Sequence, residues 1–206
     1  MKKIGLLLGS FDPIHIAHIN IAACVLNSGL CDKVLFVVAK HNPWKKNEPA
    51  PFDVRCDMVQ LSITPFGSSC EVCELEKDIE PPTYSYKVLT KIREQYPDDE
   101  LYLITGTDTF DRLPRWKNWK TDIEPYFKVI CVDRCLCNPK DISLGEDKTF
   151  ALGVFDSQIG QISNITPRVL DVSSTMIRNM VANNENPYPL VTKDVLNIIN
   201  SYKLYR

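Results

Sequence analysis

Residues 3–18 read KIGLLLGSFDPIHIAH: a short apolar run, a glycine, a polar turn and the start of a second apolar pattern. The run at residues 3–8 predicts a buried strand ending at Gly9, because a membrane span needs about 20 apolar residues and an export segment at least about 7. Residues 16–27 carry apolar side chains at helical spacing and stop before Gly29, which suits the end of a helix. This stretch therefore predicts a strand, a tight turn and a helix.

The same alternation of strands and helices runs along the rest of the chain. Further strands are predicted at residues 33–38, 71–79, 101–105 and 128–132, and further helices at residues 53–63, 84–96, 173–183 and 192–202. Apolar strands such as KVLFVV are typical of a sheet covered on both faces. The sequence therefore predicts an α/β fold: a Rossmann-like, doubly wound parallel sheet with helices on both faces, C-terminal helices, and a single domain over residues 1–206. Longer irregular stretches are predicted at residues 39–52 and 134–150.

The composition is that of an ordinary globular protein: 206 residues, 44% hydrophobic, with 24 Lys and Arg against 26 Asp and Glu and a net charge of −2. A nucleic-acid coat or a binder of anionic membranes needs an excess of basic residues, so neither partner is expected. The balance leaves room for a local basic site that holds a small phosphorylated ligand. Because the apolar run near the start is too short for export, we expect the protein in the cytoplasm.

The chain has eight cysteines, and because cytosolic thiols are mostly reduced, no disulfide framework is expected. Cys70 and Cys73 form a C-x-x-C pair, and Cys135 and Cys137 form a C-x-C pair. The first pair falls in a predicted strand, where residues i and i+3 point to opposite faces, and it lacks the glycine turn of a zinc knuckle. No metal-ligating role is therefore assigned to the cysteines, and a structural metal and a redox role both stay open as alternatives.

The first candidate site lies at residues 9–18, where the first predicted strand meets the first helix. Ligands of open α/β sheets bind beyond the carboxyl ends of the strands. Gly9 allows the backbone close to a phosphate, and the helix that follows offers N–H donors at its start. His15 and His18, three residues apart, would project from one face of the first helical turn toward an exposed phosphate site. The alternative interpretation is a helix start with two surface histidines.

The second candidate site is the segment DVSSTMIR, residues 171–178. Ser173, Ser174 and Thr175 cluster where a helix is predicted to begin, and Arg178 follows one turn later. Hydroxyls and N–H groups at a helix start can bind an anion, and a guanidinium can donate two parallel hydrogen bonds to phosphate oxygens. Plain N-capping is the alternative; it explains one serine but not the run together with the arginine.

Together these segments resemble the nucleotidyltransferase superfamily with an H-x-G-H-type signature, in particular the nicotinate/nicotinamide mononucleotide adenylyltransferases. GSFDPIHIAH is similar to their G-[GS]-[ST]-F-D-P-x-H-x-x-H, and VSSTMIR to their [IV]-S-S-T-x-[IV]-R. Residues 104–119 resemble the family's G-x-D…L-x-x-W segment, residues 41–46 its lysine-bearing loop, and residues 81–89 its P-S-Y-T-x-x-x-L segment. The sequence departs from the family at Ala17, which replaces a glycine, and in the order of hydroxyls at residues 83–85.

The resemblance implies transfer of AMP from ATP to a pyridine mononucleotide, with release of pyrophosphate. It implies catalytic roles at the phosphates for His15, His18 and Arg178, and Mg²⁺ held mainly by the ATP phosphates. The residues implied to bind ATP are Gly9, Ser10, Phe11, His18, Ser174, Thr175 and Arg178. Those implied to bind the mononucleotide are Ser10, Lys45, Lys46, Thr83, Tyr84, Asp108 and Trp116. In this set either lysine would meet the incoming phosphate, Asp108 a ribose hydroxyl and Trp116 the pyridine ring.

Two alternative functions stay open. Another adenylyl- or cytidylyltransferase, such as one acting on pantetheine phosphate, shares the first signature, although the segment with Trp116 argues against it. A non-catalytic nucleotide sensor that uses its cysteines for redox control is the second alternative. P-loop kinases and dinucleotide dehydrogenases lose support, because neither of their glycine motifs is present. The choice between nicotinate and nicotinamide mononucleotide stays open, and so does the oligomeric state, with a homo-oligomer as one alternative.

Overall fold

A computed structural model of the chain describes residues 1–40, 48–132, 152–155, 162–163 and 172–206. The described residues form one seven-stranded sheet with the strand order β3-β2-β1-β4-β5-β6-β7. Its strands are β1 (Lys3–Gly9), β2 (Lys33–Val38), β3 (Cys70–Cys73), β4 (Glu100–Gly106), β5 (Lys128–Val132), β6 (Leu152–Phe155) and β7 (Ile162–Ser163).

The first five strands are parallel, as the alternation of strands and helices predicts. β1 lies at the centre, with Leu6 level with Leu35 in β2 and with Leu103 in β4. The chain runs outward from β1 to β3 and then returns to β4 on the other side of β1, so the strand order reverses between β1 and β4. The carboxyl ends of these two strands thus form the crevice in which doubly wound sheets bind their ligands.

Helices cover both faces of the sheet. They are α1 (Ile16–Asn27), α2 (Phe52–Ile63), α3 (Ser85–Gln95), α4 (Thr107–Phe110), α5 (Ser174–Ala182) and α6 (Lys193–Ser201). One core joins α1, α2, α5 and α6 to one face of the strands, and a second core joins α3 and the turns at residues 113–123 to the other. None of the helices in the described part of the chain is both long enough and apolar enough to cross a bilayer.

The strand predicted at residues 71–79 is wrong in its length. The strand is Cys70–Cys73, and a 3₁₀ turn, Leu75–Asp78, replaces its second half. The turn carries Glu76 inward, where its buried carboxylate accepts a hydrogen bond from the backbone N–H of Lys40 at 2.7 Å. The expected opposite orientation of Cys70 and Cys73 is confirmed, since their side chains lie in different cores.

Two strands were not predicted at all. β6 and β7 extend the sheet beyond β5, and both pair antiparallel to their neighbours. The parallel sheet predicted from the sequence is therefore a mixed sheet, with its parallel part confined to β1–β5. Antiparallel strands at one edge of a parallel sheet are common, because an edge strand needs no helical crossover to reach its neighbour.

Candidate functional site

In the loop after β1, the ring of Phe11 folds back against Gly9. A Cβ on Gly9 would lie 2.9 Å from the ring of Phe11, closer than real Cβ contacts come. Phe11 is buried, its φ is +46°, and its ring packs against Phe36 in β2 with centroids 5.6 Å apart. A glycine is therefore favoured at position 9, because the Phe11 ring leaves no room for a side chain there. Residues 10–15 follow at the carboxyl end of β1.

The two histidines lie together at the start of α1. His15 is the N-cap residue, and its N–H donates to Nδ1 of His18 at 3.3 Å. The two rings stack, with centroids 3.7 Å apart, and Phe11 meets the His18 ring edge-on at 5.0 Å. The expectation that both histidines are exposed is wrong for His15, which is only 5% exposed and whose ring stacks on that of His18.

The hydrogen bond between the histidines selects the form of the His18 ring. A neutral imidazole has one donor and one acceptor nitrogen. Because Nδ1 of His18 accepts the N–H of His15, the neutral ring carries its proton on Nε2. In this form Nε2–H is the donor of the His18 ring, and Nδ1 is the acceptor of the N–H at the start of α1.

The second candidate segment begins α5, and capping accounts for one of its hydroxyls. Ser173 is the N-cap, and its Oγ accepts the N–H of Met176 at 3.2 Å. Ser174 does something else: its Oγ donates to the carbonyl of Pro13 at 2.9 Å. The start of α5 is thus joined directly to the loop after β1, from which it is separated by about 160 residues.

Arg178 makes the second link between the two segments. Its Nη1 donates to the carbonyl of Asp12 at 2.7 Å, and its Nη2 donates to Oγ1 of Thr175 at 3.0 Å. Nη1 also lies 3.8 Å from Oδ2 of Asp12. The structure therefore brings the residues of both sequence motifs into one site, as expected of a binding site built from them.

Asp12 is a part of this site that was not assigned a role from the sequence. Its carboxylate is buried, and Oδ1 accepts the N–H of Ala50 at 3.0 Å and the hydroxyl of Tyr205 at 2.9 Å. Burial, and then the charge and hydrogen bond of Asp12, raise the pKa of Tyr205 well above its ordinary value, so the phenol keeps its proton. The position of Asp12 inside the first motif was the available signal, whereas Tyr205 lies in none of the motifs quoted above.

Arg55, in α2, was also missed. It is fully buried, and it donates to the carbonyls of Ala50 at 2.8 Å, Ser10 at 2.6 Å, Ala39 at 2.7 Å and Lys40 at 3.1 Å. Burial lowers the pKa of Arg55, while the nearby carboxylates, Asp12 foremost, act to raise it. No local pattern in the sequence marks this arginine, because all its partners come from other segments.

A cleft of about 730 Å³ opens beside the two motifs. Asp12, Thr175 and Arg178 line it, together with residues 48–51 and residues 203–205. Of the lining residues that the structure describes, Arg178 and Lys203 are cations, and Asp12 and Glu48 are carboxylates. With Asp12 turned to Arg178, Ala50 and Tyr205, the donors at this cleft face a space large enough for part of a nucleotide.

The residues implied to hold the pyridine lie after β3 and β4. Tyr84 is the N-cap of α3, its ring stacks on Tyr86 with centroids 6.2 Å apart, and Nζ of Lys117 lies 4.4 Å from the centre of its ring. This contact joins the segment with Thr83 and Tyr84 to the segment with Trp116. Trp116 is half-buried, whereas Trp119 is buried in the core beneath it.

For Asp108, Lys45 and Lys46, which the resemblance implies in mononucleotide binding, the structure gives no side-chain contacts. Asp108 lies in α4, directly after β4. Lys45 and Lys46 fall outside the described residues, between Lys40 and Glu48. The structure therefore neither brings these two lysines to the site nor removes them from it.

Two further kinds of chemistry concern the described part of the chain: metal binding, and the reactivity of its buried thiols, which depends on their pKa values. Among the residues that the structure describes, no group of three or more His, Cys, Asp or Glu side chains is placed to hold a metal ion. Burial raises the pKa of Cys31 and Cys56 to about 12 and that of Cys70 to about 11, so these thiols are protonated at neutral pH. Cys135 and Cys137 lie outside the described residues.

Known proteins are similar to this chain over nearly all of its length. Residues 6–180 match the family described as cytidylyltransferase-like. The chain is 32% identical to a probable nicotinate-nucleotide adenylyltransferase of Cytophaga hutchinsonii, over 98% of each chain, and 32% identical to one of Staphylococcus epidermidis, over 99% of this chain and 97% of the relative.

Solved structures share the fold. A nicotinic acid mononucleotide adenylyltransferase of Plasmodium falciparum, complexed with NaAD, superposes with a TM-score of 0.71 at 16% identity, over 100% of this chain and 98% of that one. A putative nicotinate-nucleotide adenylyltransferase of Vibrio parahaemolyticus gives 0.68 at 19% identity, over 100% and 96%. At such identities the likeness shows the architecture, which is the predicted Rossmann-like one.

Proposed function

The chain belongs to the cytidylyltransferase-like family, and from that membership and the site at its two motifs we propose that it transfers AMP from ATP to nicotinate mononucleotide. The products are deamido-NAD and pyrophosphate, a step of NAD biosynthesis; nicotinamide mononucleotide, giving NAD, is the second acceptor we include. The observation that supports the proposal most strongly is that two hydrogen bonds, from Arg178 to Asp12 and from Ser174 to Pro13, hold the two motifs together. Because the reaction consumes ATP, we propose the cytoplasm as its location.

The chemistry asks little of the protein beyond placement and charge. The attacking group is the phosphate of the mononucleotide, which is already ionised near neutral pH, so no general base and no covalent intermediate are needed. The protein has to hold the two phosphates in line and to stabilise the charge that develops at the α-phosphate and on the leaving pyrophosphate. Fixed N–H donors at the ends of strands and the starts of helices suit this task.

Arg178 and the start of α5 are proposed to hold the leaving pyrophosphate. A guanidinium has five N–H donors, and two hydrogen bonds to Asp12 and Thr175 orient it without using all of them. The backbone N–H groups of Ser174 and Thr175 lie in the first turn of α5, where the helix dipole favours a negative charge. His18, which stacks on the buried His15, would donate Nε2–H to the α-phosphate of ATP, where the new bond forms and the bond to pyrophosphate breaks.

Mg²⁺ fits this site as a companion of ATP. The described residues offer no metal-binding cluster, and the one buried carboxylate of the site, Asp12, already accepts hydrogen bonds from Ala50 and Tyr205 and faces Arg178. We therefore propose that the ATP phosphates supply most of the ligands of the ion, whose chemistry is to neutralise their charge. Arg178 and His18 would act on the phosphate oxygens alongside it.

The test is a panel of acceptors with ATP and Mg²⁺. With nicotinate mononucleotide we expect formation of deamido-NAD and pyrophosphate. Chromatography of the products measures both. Adenylylation of pantetheine phosphate without any dinucleotide would contradict the proposal in favour of another nucleotidyltransferase. Absence of turnover with every acceptor, together with ATP binding, would favour the nucleotide sensor.

Trp116 gives a prediction on the acceptor. An indole face stacks on a flat heteroaromatic ring with about 1–3 kcal/mol, by analogy with base–aromatic contacts. Trp116→Ala should therefore raise KM for the mononucleotide about ten-fold, the equivalent of 1.4 kcal/mol, and should change KM for ATP little. Steady-state kinetics with each substrate varied in turn measures both constants.

The neighbouring tryptophan is the control for that variant. Because Trp119 is buried in the core, Trp119→Ala should reduce stability by about 3–5 kcal/mol and affect the two KM values less than Trp116→Ala does. Equal damage to both substrates by Trp116→Ala, or a larger effect on KM from Trp119→Ala, would contradict the stacking role.

The cysteines give a prediction that separates an enzyme from a redox sensor. At pH 8 a thiol of pKa about 11 is ionised in about one molecule in a thousand, and one of pKa about 12 less still. Iodoacetamide should therefore leave Cys31, Cys56 and Cys70 unmodified in the folded protein while adenylyl transfer continues. Peptide mass spectrometry reads the labelling; rapid labelling of these thiols with a change in nucleotide binding would favour the sensor.

A further inference from the structure

Tyr205 and Arg178 meet at opposite oxygens of one carboxylate, that of Asp12. Oδ1 of Asp12 accepts the hydroxyl of Tyr205 at 2.9 Å and the N–H of Ala50 at 3.0 Å. Oδ2 lies 3.8 Å from Nη1 of Arg178. This distance is longer than a hydrogen bond, so the carboxylate attracts the guanidinium by its charge without accepting an N–H from it.

Neutral acceptors orient the guanidinium of Arg178 instead. Nη1 donates to the backbone carbonyl of Asp12 at 2.7 Å, and Nη2 donates to Oγ1 of Thr175 at 3.0 Å. Arg178 and Thr175 both line the cleft beside the two motifs. A guanidinium has five N–H donors, so these two hydrogen bonds leave donors for an anion in the cleft.

The hydroxyl of Tyr205 limits how fully Asp12 can pair with Arg178. A carboxylate and a guanidinium favour a geometry in which both oxygens accept parallel N–H bonds. Such a pair would occupy two donors of Arg178, and it needs Oδ1 of Asp12, which Tyr205 and Ala50 already engage. Without the hydroxyl, the carboxylate would be held by Ala50 alone and could turn toward the guanidinium, which would withdraw donors from the cleft.

The segment that carries Tyr205 is held in an uncommon conformation. Lys203 has a φ of +52° and Tyr205 a φ of +63°, values that side chains other than glycine rarely adopt. Between them, the N–H of Leu204 donates to the carbonyl of Ile199 at 2.9 Å, and Leu204 packs against the core. Such a backbone persists only where its surroundings determine it, so the phenol is fixed in place. Because burial and then the charge of Asp12 raise the pKa of Tyr205, the phenol keeps its proton and stays a donor.

We propose that Tyr205 is a positioning residue for the polyphosphate of ATP. By donating to Asp12, it keeps the carboxylate from pairing fully with Arg178, so the guanidinium stays available to the β- and γ-phosphates. The inference rests on the proposed function, in which Arg178 holds the leaving pyrophosphate. Because Tyr205 acts through Arg178, its effect is confined to ligands that carry those two phosphates, and AMP is indifferent to it.

Tyr205→Phe tests this, because it keeps the ring and removes only the hydroxyl. Isothermal titration calorimetry with Mg²⁺ and without an acceptor measures the affinity for ATP and for AMP. We expect the Kd for ATP to rise about ten-fold, in keeping with the loss of one hydrogen bond to a charged group, and the Kd for AMP to change less than about two-fold. Tyr202→Phe, which removes an exposed hydroxyl just after α6, is the matched control and should bind both nucleotides as the unmodified protein does.

Arg178→Gln shows whether Tyr205 acts through the arginine. In that background Tyr205→Phe should cause no further loss of ATP affinity, because the guanidinium that the hydroxyl keeps available is absent. Unchanged ATP binding by Tyr205→Phe, an equal loss for AMP, or an equal further loss in the Arg178→Gln background would overturn the inference. If the unmodified protein forms no dinucleotide with any acceptor, the proposed function is overturned instead, and the binding measurements still decide the role of Tyr205.

Discussion

His18→Ala is expected to lower kcat for dinucleotide formation by about 10²–10³, the loss typical of removing one preorganised donor to a transition state. The Nε2–H of His18 is the group removed, and its orientation depends on Nδ1 accepting the N–H of His15. The folded structure should persist, because His18 is only half-buried and makes its contacts at the end of a helix. Steady-state kinetics and the circular dichroism spectrum measure the two parts of this expectation.

His18→Asn is the matched variant. The amide oxygen of asparagine can occupy the position of Nδ1 and accept the N–H of His15, but no group replaces Nε2. If Nε2 acts on phosphate, this variant should be as slow as His18→Ala. Recovery of activity by His18→Asn would show that the residue matters for the helix start alone.

Asp12→Ala is expected to lower the free energy of unfolding by about 3 kcal/mol or more, the usual loss when one member of a buried ion pair is removed. The change leaves Ala50 N–H and the Tyr205 hydroxyl without their acceptor and deprives Arg55 of its strongest favourable charge. Urea unfolding followed by fluorescence measures the loss.

Two further variants serve as comparisons for the unfolding free energy of Asp12→Ala. Asp12→Asn keeps an acceptor but not the charge, so its loss should be smaller than that of Asp12→Ala. Asp57→Ala removes an exposed carboxylate from α2 and should change the free energy of unfolding by about 0.5 kcal/mol at most. A loss below about 1 kcal/mol for Asp12→Ala would contradict the role assigned to the buried carboxylate.

The parallel core of the fold could be predicted because its signals are local. KVLFVV is apolar throughout, and it forms β2 at the predicted residues, Lys33–Val38. α1 also has its predicted bounds, Ile16–Asn27, followed by a C-cap at Ser28 and a positive φ at Gly29. In both elements the pattern of a few neighbouring residues determines the structure.

The remaining features depend on partners that are distant in sequence. An arginine within the helix FDVRCDMVQLSI is expected to face solvent, but Arg55 is buried because four carbonyls from outside α2 converge on it. The antiparallel strand β6 depends on pairing with β5, and the two-residue strand β7 depends on pairing with β6. The burial of His15 was likewise not evident from its local sequence, which places it at the start of a helix.

The hydrogen bond between Asp12 and Tyr205 spans 193 residues, and the one between Arg178 and Asp12 spans 166. On a ribosome that adds about 5–20 residues per second, Tyr205 is made roughly 10–40 s after Asp12. During that time β1, β2 and β4 can pair. The Asp12 carboxylate gains its contacts with Arg178 and Tyr205 only later, when the nascent chain already contains these strands. Translation that stops before α5 would therefore yield a chain able to form the central strands yet lacking the second of the two segments that make up the candidate site.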